Sequence, residues 1–128
     1  MITVTVSKQS NFPVKSSLIK KRLREFLTKE GIVSDCNVSV VLVGEKKMLD
    51  LSKKYLKDSG LHNVLSFTET EIKGNFIYPP DGKIYLGEII ICYPIAVEEA
   101  KKEEVLISDW VCELIEHGAA HLLGKHHE

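Results

Sequence analysis

Hydrophobic and polar residues alternate strictly near the start of the chain and follow a helical spacing soon afterwards. Ile2–Ser7 has the period-two pattern of a strand, and Asn37–Gly44 is a mostly apolar, β-branched run that ends at a glycine. Between them, Val14–Lys29 carries apolar residues at helical intervals, and Gly31 is placed to end that helix. The first third of the chain therefore predicts a β-α-β unit.

The rest of the chain continues to alternate between helical and extended patterns. A second helix is predicted from Glu45 to about Lys57, and Ile84–Cys92 is the strongest strand pattern in the chain. The other predicted elements, in chain order, are a short apolar run at Asn63–Thr68, a turn or hairpin loop at Gly74–Lys83, a helix from Ile95 to about Glu104, and a final helix capped at Ser108 and Asp109 that runs to Leu123 with Gly124 at its end. This order predicts an α/β fold with a small mixed sheet of about four strands packed with helices.

Length and composition limit the class of protein. A chain of 128 residues with 44% hydrophobic content suits a single domain, residues 1–128, around one core. It shows neither a basic leader followed by an apolar run nor an apolar stretch of roughly 20 residues, so we expect a soluble, cytoplasmic protein without membrane association. Cys36, Cys92 and Cys112 lack Cys-x-x-Cys spacing and predict buried free thiols, not a disulfide framework or a thiolate zinc site.

Charge is divided unevenly along the chain. Residues 1–57 contain 12 Lys/Arg and 5 Asp/Glu, a net +7, whereas residues 58–128 contain 5 Lys/Arg and 13 Asp/Glu, a net −8. A basic face attracts nucleic-acid phosphates, although ordinary solvated helix surfaces explain such charges equally well. The candidates for a basic, salt-dependent RNA-binding face are Lys20, Lys21, Arg22, Arg24, Lys46, Lys47, Lys53, Lys54 and Lys57.

Four of the five histidines lie in the last thirteen residues, EHGAAHLLGKHHE. In a helix, His117 and His121 share one side about 6 Å apart, and a turn at Gly124 lets a third imidazole, His126 or His127, join them. Such ligands suit one Zn²⁺ or another transition metal, and an open fourth position admits a water whose pKa the metal lowers to about 7. The spacing predicts a hydrolytic metal site on the C-terminal helix, with simple packing of a histidine pair as the alternative.

Two carboxylates, Glu113 and Glu116, lie close to the first of these histidines in the sequence. Either could orient a ligand or act as a base, although solvated helix carboxylates are more common. The zincin protease pattern His-Glu-x-x-His places its general base directly after the first histidine, where this chain has Gly118. A metalloprotease is therefore disfavoured.

Three ordered motifs carry a family resemblance. HGAAHLLGKHH at residues 117–127, HNVLSF at 62–67 and LGEIIIC at 86–92 are similar to the motifs His-Gly-x-Leu-His-Leu-x-Gly-Tyr-Asp-His, Thr-Asp-Val-Leu-Ser-Phe and Leu-Gly-Asp-Ile-x-Ile-Cys. These are the motifs of the YbeY-type endoribonucleases of bacterial rRNA maturation. The resemblance covers roughly Leu49 to His127, and an N-terminal β-α-β unit is expected for that family.

The resemblance implies a fold, a metal and a substrate. The histidines of the final helix would lie at the floor of a cleft and hold one catalytic metal, expected to be zinc, through His117, His121 and His127, because His126 stands where the family has aspartate. The implied substrate and partner are rRNA and the small ribosomal subunit, in rRNA maturation and ribosome quality control. Ser66 is expected to line the cleft or, alternatively, to cap a strand end. The candidate catalytic residues are His117, His121 and Ser66, and the candidate RNA contacts are Lys53, Lys54, Lys57, Arg22 and Arg24.

Two further departures from the family pattern define the alternatives. Leu56 follows Tyr55 where the family has an arginine associated with the RNA phosphate, and Asn63 replaces an aspartate. The leading hypothesis is a metal-dependent, single-strand-selective endoribonuclease. The departures motivate a second hypothesis, a ribosome-associated binding protein with a structural metal and weak or no catalysis. A different metal hydrolase, acting on a small molecule or a peptide, is the third.

Overall fold

The computed structural model describes residues 1–57, 60–68, 71 and 84–124. Within these residues, a four-stranded sheet has the order β1 (Ile2–Lys8), β2 (Cys36–Val43), β4 (Ile84–Cys92), β3 (Val64–Phe67). β2 is parallel to both β1 and β4, whereas β3 is antiparallel to β4. The predicted α/β fold with a mixed sheet of about four strands is confirmed. The loop predicted at Gly74–Lys83 lies outside the described residues, as do the last two histidines of the chain.

Helices cover both faces of the sheet. They are α1 (Ser16–Lys29), α2 (Glu45–Leu51), a π-helical segment (Ser52–Leu56), α3 (Tyr93–Glu103) and α4 (Ile107–Leu122). α1 and α4 contribute to the larger core, on the face that we call the α4 face, and α2 packs with a smaller core on the opposite face, the α2 face. Within the described residues, no helix combines the length and the apolar composition needed to cross a bilayer.

The predicted β-α-β unit is present, with small shifts at its boundaries. Three residues of α1 that are four positions apart, Ile19, Leu23 and Leu27, are each 1% exposed, which explains why this segment is helical and where it packs. The helix begins at Ser16 and not at Val14, because Val14 is itself buried before the helix starts and Lys15 is still extended. Gly31 follows the helix with a φ of +94°, as its position predicted.

The second helix is shorter than predicted. Its α-helical part ends at Leu51, and Ser52–Leu56 continues as a π-helix that ends at Lys57, whose φ of +53° is left-handed. The Ser52 hydroxyl is fully buried and makes no hydrogen bond within the described part of the chain. A π-helical turn is a local widening of the helix. The spacing of apolar residues does not reveal it, because Met48, Leu51 and Tyr55 pack against the smaller core both before and within this turn.

The starts of the last two helices also differ from prediction. α3 begins at Tyr93, so Pro94 lies in its first turn and does not precede the helix. Proline fits this position because the backbone N–H groups of the first turn have no acceptor within the helix. α4 begins at Ile107 with Leu106 as its extended N-cap, and no side chain caps it, so the predicted Ser108–Asp109 cap is wrong. Ile107 packs against the larger core, which explains the earlier start.

The three cysteines are free and buried, as predicted. Burial raises the pKa of the thiols of Cys36, Cys92 and Cys112 above the ordinary value. The thiol form is therefore favoured at neutral pH, and these side chains act as small apolar core residues.

Glu88 is a half-buried carboxyl in β4, and burial raises its pKa. Because the pKa of Glu88 is raised in the folded state, the folded protein binds more protons than the unfolded chain at pH values near this pKa. The free energy of unfolding therefore falls as pH rises past 4.5, the ordinary pKa of a glutamate. We expect Glu88→Gln to be more stable than wild type at pH 7, with a difference that shrinks on acidification and disappears below the ordinary glutamate pKa. Urea unfolding across pH measures this, and a variant less stable at pH 7 would contradict it.

Candidate active site

The helix that carries the histidines packs unusually close to the sheet. A Cβ on Gly118 would lie 2.9 Å from Ile89 Cγ2 and 3.4 Å from Val64 Cγ2, so only a glycine allows α4 to approach β3 and β4 this closely. The adjacent Ala119 is fully buried. This contact holds the neighbouring histidines at the border between α4 and β3.

His117 and His121 lie beside β3, one near each end of the strand. His117 is exposed and shares a pocket with Asn63 and Val64, which are located at the start of the strand. The side chain of His121 is 38% exposed, and its Nε2 is 3.6 Å from Oε1 of Glu71, beyond the end of the strand. The predicted one-turn spacing on a single helix therefore holds, and a carboxylate that the sequence did not indicate stands beside the second histidine.

Glu71 is held by the residue that follows β3. Its Oε1 accepts hydrogen bonds from the backbone N–H of Thr68, at 2.8 Å, and from the Thr68 hydroxyl, at 3.0 Å. Burial raises the pKa of Glu71, but the two hydrogen bonds from Thr68 and the neighbouring His121 outweigh it, so the pKa lies below its usual value. Glu71 is therefore an ionised, oriented carboxylate next to a predicted metal ligand.

Ser66 lies on the same face of the sheet as α4. Its neighbours Leu65 and Phe67 pack in the smaller core on the α2 face, and alternate strand residues point to opposite faces. Ser66 is paired with Ile89, the residue that meets Gly118 of α4. The half-buried Ser66 thus lies on the histidine-bearing side of β3, where the resemblance implies a role.

A surface pocket of about 370 Å³ adjoins His117. One carboxylate from α3 ties two of its walls together. The Asn63 amide donates hydrogen bonds to both carboxylate oxygens of Glu99, at 3.2 Å each, and the indole N–H of Trp110 donates to Oε1 at 3.0 Å. The described residues that line the pocket are Asn63, Val64, Trp110, Glu113, Leu114 and His117.

The two arginines predicted to contact RNA lie in different surroundings. The Arg22 guanidinium is 3.4 Å from a carboxylate oxygen of Asp109 and 3.3 Å from one of Glu116, so it links α1 to α4. Glu116 is thereby engaged in an ion pair. Arg24 is exposed, and two helix positions turn it by about 200° away from Arg22. These two arginines therefore do not form one RNA-binding face.

The predicted lysines Lys53, Lys54 and Lys57 are exposed in and just after the π-helical segment. Lys54 lies over the Tyr55 ring, with its Nζ 5.1 Å from the ring centroid, and that ring contacts Phe67 of β3 with 5.0 Å between centroids. The lysines thus lie beside β3 on the α2 side, whereas the histidines lie beside it on the α4 side. Leu56, where the family resemblance places an arginine, is 45% exposed.

The donor set around α4 suits a transition metal but is incomplete within the described residues. Imidazole nitrogens four residues apart and a nearby carboxylate oxygen are the ligand types that zinc prefers. No group of three His, Cys, Asp or Glu side chains in the described part of the chain has the arrangement of a full metal site. His127, the predicted third ligand, and its neighbour His126 lie outside that part.

Comparison with known proteins assigns the family. A family model described as endoribonuclease YbeY matches residues 4–128. The chain belongs to the YbeY family. A Dehalococcoides mccartyi protein named endoribonuclease YbeY is 32% identical over 123 residues, which cover 90% of this chain and 72% of the relative. A protein of the same name from Bartonella quintana is 32% identical over 130 residues, which cover 99% of this chain and 78% of the relative.

A solved structure has a fold similar to that of this YbeY-family chain. The solution structure of a Thermotoga maritima protein matches 98% of this chain and 75% of that chain, with a TM-score of 0.61 and 26% sequence identity. The family model's match over residues 4–128 confirms the resemblance identified from three sequence motifs.

Several residues around His117 and His121 in this YbeY-family chain were not predicted from the sequence. Trp110 precedes His117 by seven positions, two helical turns, so its place on the histidine side of α4 was readable from the spacing. Glu113, interpreted as a solvated carboxylate or a base, lines the pocket between them. Glu71 and Glu99 had no such signal, because they reach the site from other segments of the chain.

Proposed function

We propose that this YbeY-family chain is a metal-dependent, single-strand-selective endoribonuclease that acts in small-subunit rRNA maturation and ribosome quality control, in the cytoplasm and in association with the small ribosomal subunit. Its family is described as an endoribonuclease family, and its relatives from D. mccartyi and B. quintana carry that name. The observation that carries the proposal is the placement of His117 and His121 along β3, between a lined pocket and the carboxylate of Glu71.

The proposed metal ligands are His117, His121 and His127, which would hold one Zn²⁺ or another transition metal ion per chain. When bound, such an ion polarises a phosphodiester and activates a water for hydrolysis. The protein itself orients the ligands. Glu71, fixed by its two hydrogen bonds from Thr68, faces His121 as the carboxylate that restrains this imidazole.

Ser66 and the exposed lysines are proposed to hold the RNA. The Ser66 hydroxyl, on the α4 face of β3, can donate a hydrogen bond to a phosphate oxygen, and Lys53, Lys54 and Lys57 can neutralise phosphates on the other side of the strand. An RNA that reaches both groups has to bend around β3, the outermost strand on that side of the described sheet. A single strand can follow this path, whereas a duplex is stiff over such a length, which supports the proposed selectivity.

Metal removal tests the proposal. The protein is purified without a C-terminal tag, its metal content is measured by elemental analysis, and cleavage of matched single-stranded and duplex rRNA segments is followed before and after chelation. We expect about one zinc or other transition metal ion per chain, in line with a single three-histidine site. Chelation should stop cleavage, re-addition of the metal should restore it, and the duplex should be cut more slowly.

Each other outcome counts against a specific part of the proposal. Undiminished cleavage by metal-free protein would exclude metal dependence, and equal cutting of duplex RNA would exclude strand selectivity. Metal binding without cleavage would favour the ribosome-associated binding protein instead. The exposed, uncharged Leu56 in place of the arginine of the family pattern is the observation that favours that second candidate.

A further inference from the structure

The pocket beside His117 has the size and composition of a small-ligand site. Its volume of about 370 Å³ is within the range of roughly 300–1,000 Å³ that such sites occupy. Apolar side chains, Val64 and Leu114, lie next to an aromatic ring, Trp110, and to polar groups that can orient a ligand. A flat, partly polar molecule would fit this combination of surfaces.

The aromatic wall of the pocket has a fixed orientation. The Trp110 ring is partly buried against the larger core, and its N–H is bonded to Oε1 of Glu99 at 3.0 Å. An indole held at its polar end keeps the same orientation before and after a ligand binds, so little rotational freedom is lost on binding. Glu99 is thus a positioning residue for the indole.

The opposite wall is fixed by the same carboxylate. The Asn63 amide donates to both oxygens of Glu99, and its backbone carbonyl accepts a hydrogen bond from the N–H of Cys92 at 2.9 Å. Because Asn63 directly precedes β3 and Trp110 belongs to α4, Glu99 of α3 keeps the two walls at a constant separation. The pocket is therefore preorganised.

The charge of the pocket indicates which part of an RNA it takes. Glu113 lines it and Glu99 lies behind its walls, so a phosphate would meet one carboxylate and lie near the negative charge of a second. A nucleobase is uncharged and stacks on an aromatic ring. Three of the four RNA bases also carry an amino group that can donate a hydrogen bond to a carboxylate. The pocket chemistry therefore favours a base over the backbone.

We propose that this pocket binds one unstacked nucleobase of the single-stranded RNA substrate, with Trp110 as the stacking surface and Glu113 as the acceptor for an exocyclic amino group. The inference rests on the proposed function, because His117 belongs both to the pocket and to the proposed metal site. A base with an amino group, such as cytosine, is bound in preference to uracil, which lacks one.

Trp110 is the single tryptophan of the chain, so intrinsic fluorescence reports directly on the pocket. Metal-free protein in the presence of chelator, which prevents metal-dependent cleavage, is titrated with single-stranded hexacytidylate, hexauridylate and an abasic hexamer. We expect hexacytidylate to quench the fluorescence and to bind about 10-fold more tightly than hexauridylate, as an amino–carboxylate hydrogen bond implies. The abasic hexamer should not quench it.

Variants separate stacking from general attraction, with affinity measured by anisotropy of labelled RNA. Trp110→Leu should weaken hexacytidylate binding by about 10-fold or more, and Trp110→Phe should recover most of it, because a ring is retained. Glu113→Gln should sharply reduce the preference for cytosine, because the neutral amide is a weaker acceptor than a carboxylate and can also donate a hydrogen bond to uracil. Asp109→Asn is the matched control, since it removes a carboxylate that shares an adjoining depression with Trp110 and Glu113 but does not line the pocket beside His117, and it should leave the preference unchanged.

The outcomes distinguish this inference from the proposed function. Quenching by hexacytidylate in a chain that never cleaves RNA would support the base pocket and count against the nuclease. Metal-dependent cleavage by a chain whose Trp110 fluorescence is unchanged at saturating RNA would support the nuclease and overturn the base pocket. Equal binding of hexacytidylate and hexauridylate, or equal loss of preference in Glu113→Gln and Asp109→Asn, would overturn the proposed role of Glu113.

Discussion

Replacement of His121 by alanine is expected to prevent binding of the proposed metal ion and to abolish RNA cleavage. Loss of a proposed ligand imidazole would remove several kcal/mol of transition-state stabilisation that a bound metal would supply, which corresponds to a rate loss on the order of 10³-fold or more. The side chain of His121 is 38% exposed, so its truncation leaves no large core cavity. The free energy of unfolding should therefore change by less than about 1 kcal/mol.

Metal content per chain and single-turnover cleavage rate are the two measurements for this variant. His127→Ala is expected to behave like His121→Ala, and His126→Ala is the matched control, since it removes a neighbouring imidazole that is not a proposed ligand. Urea unfolding verifies that all three variants fold. Equal cleavage by wild type and His121→Ala would point to a contaminating nuclease, and equal metal loss in His126→Ala would overturn the choice of third ligand.

Gly87→Ala is expected to cause a large loss of stability. Gly87 has a φ of +145°, and a Cβ there would lie 2.2 Å from the backbone oxygen of Phe67 and 2.7 Å from Leu122 Cδ2. Backbone strain and overpacking each cost about 1–3 kcal/mol, so the free energy of unfolding should fall by about 3 kcal/mol or more. That is a substantial part of the 5–15 kcal/mol that holds a typical domain together.

The consequence of this change also reaches the proposed site. The Cβ would push β3 and α4 away from β4, because Phe67 ends β3 and Leu122 follows His121. Glu71, which follows β3, and His121 of α4 would shift relative to each other, which disturbs their approach of 3.6 Å. Metal affinity should therefore fall in whatever fraction of Gly87→Ala remains folded.

Gly31→Ala is the matched control for the effect of backbone conformation. Gly31 also has a positive φ, +94°, but a Cβ there would meet nothing within 4 Å. Its substitution should cost only about 1 kcal/mol, the price of a left-handed alanine. Chemical unfolding of both variants measures the difference, and similar losses would show that the close approach of β3 and α4 contributes nothing.

Most of the fold could be predicted from local patterns. The strands Ile2–Ser7 and Ile84–Cys92 and the helix after Val14 were found within a few residues, because period-two and helical spacing follow from which side chains each backbone conformation turns toward a core. The errors occurred where backbone geometry changed without a change in hydrophobic spacing. Examples are the π-helical segment Ser52–Leu56 and the uncapped start of α4 at Ile107.

The sequence by itself determined the family motifs and the helix that carries His117 and His121, since each depends on residues close together in the chain. It also determined the uneven charge of the two halves, which depends on composition alone. Only the tertiary structure decided that Arg22 pairs with the acidic side of α4, that Glu71 faces His121, and that Glu99 joins Asn63 to Trp110. These contacts join residues 11 to 94 positions apart in the sequence. They depend on how helices pack against the sheet, which local periodicity does not specify.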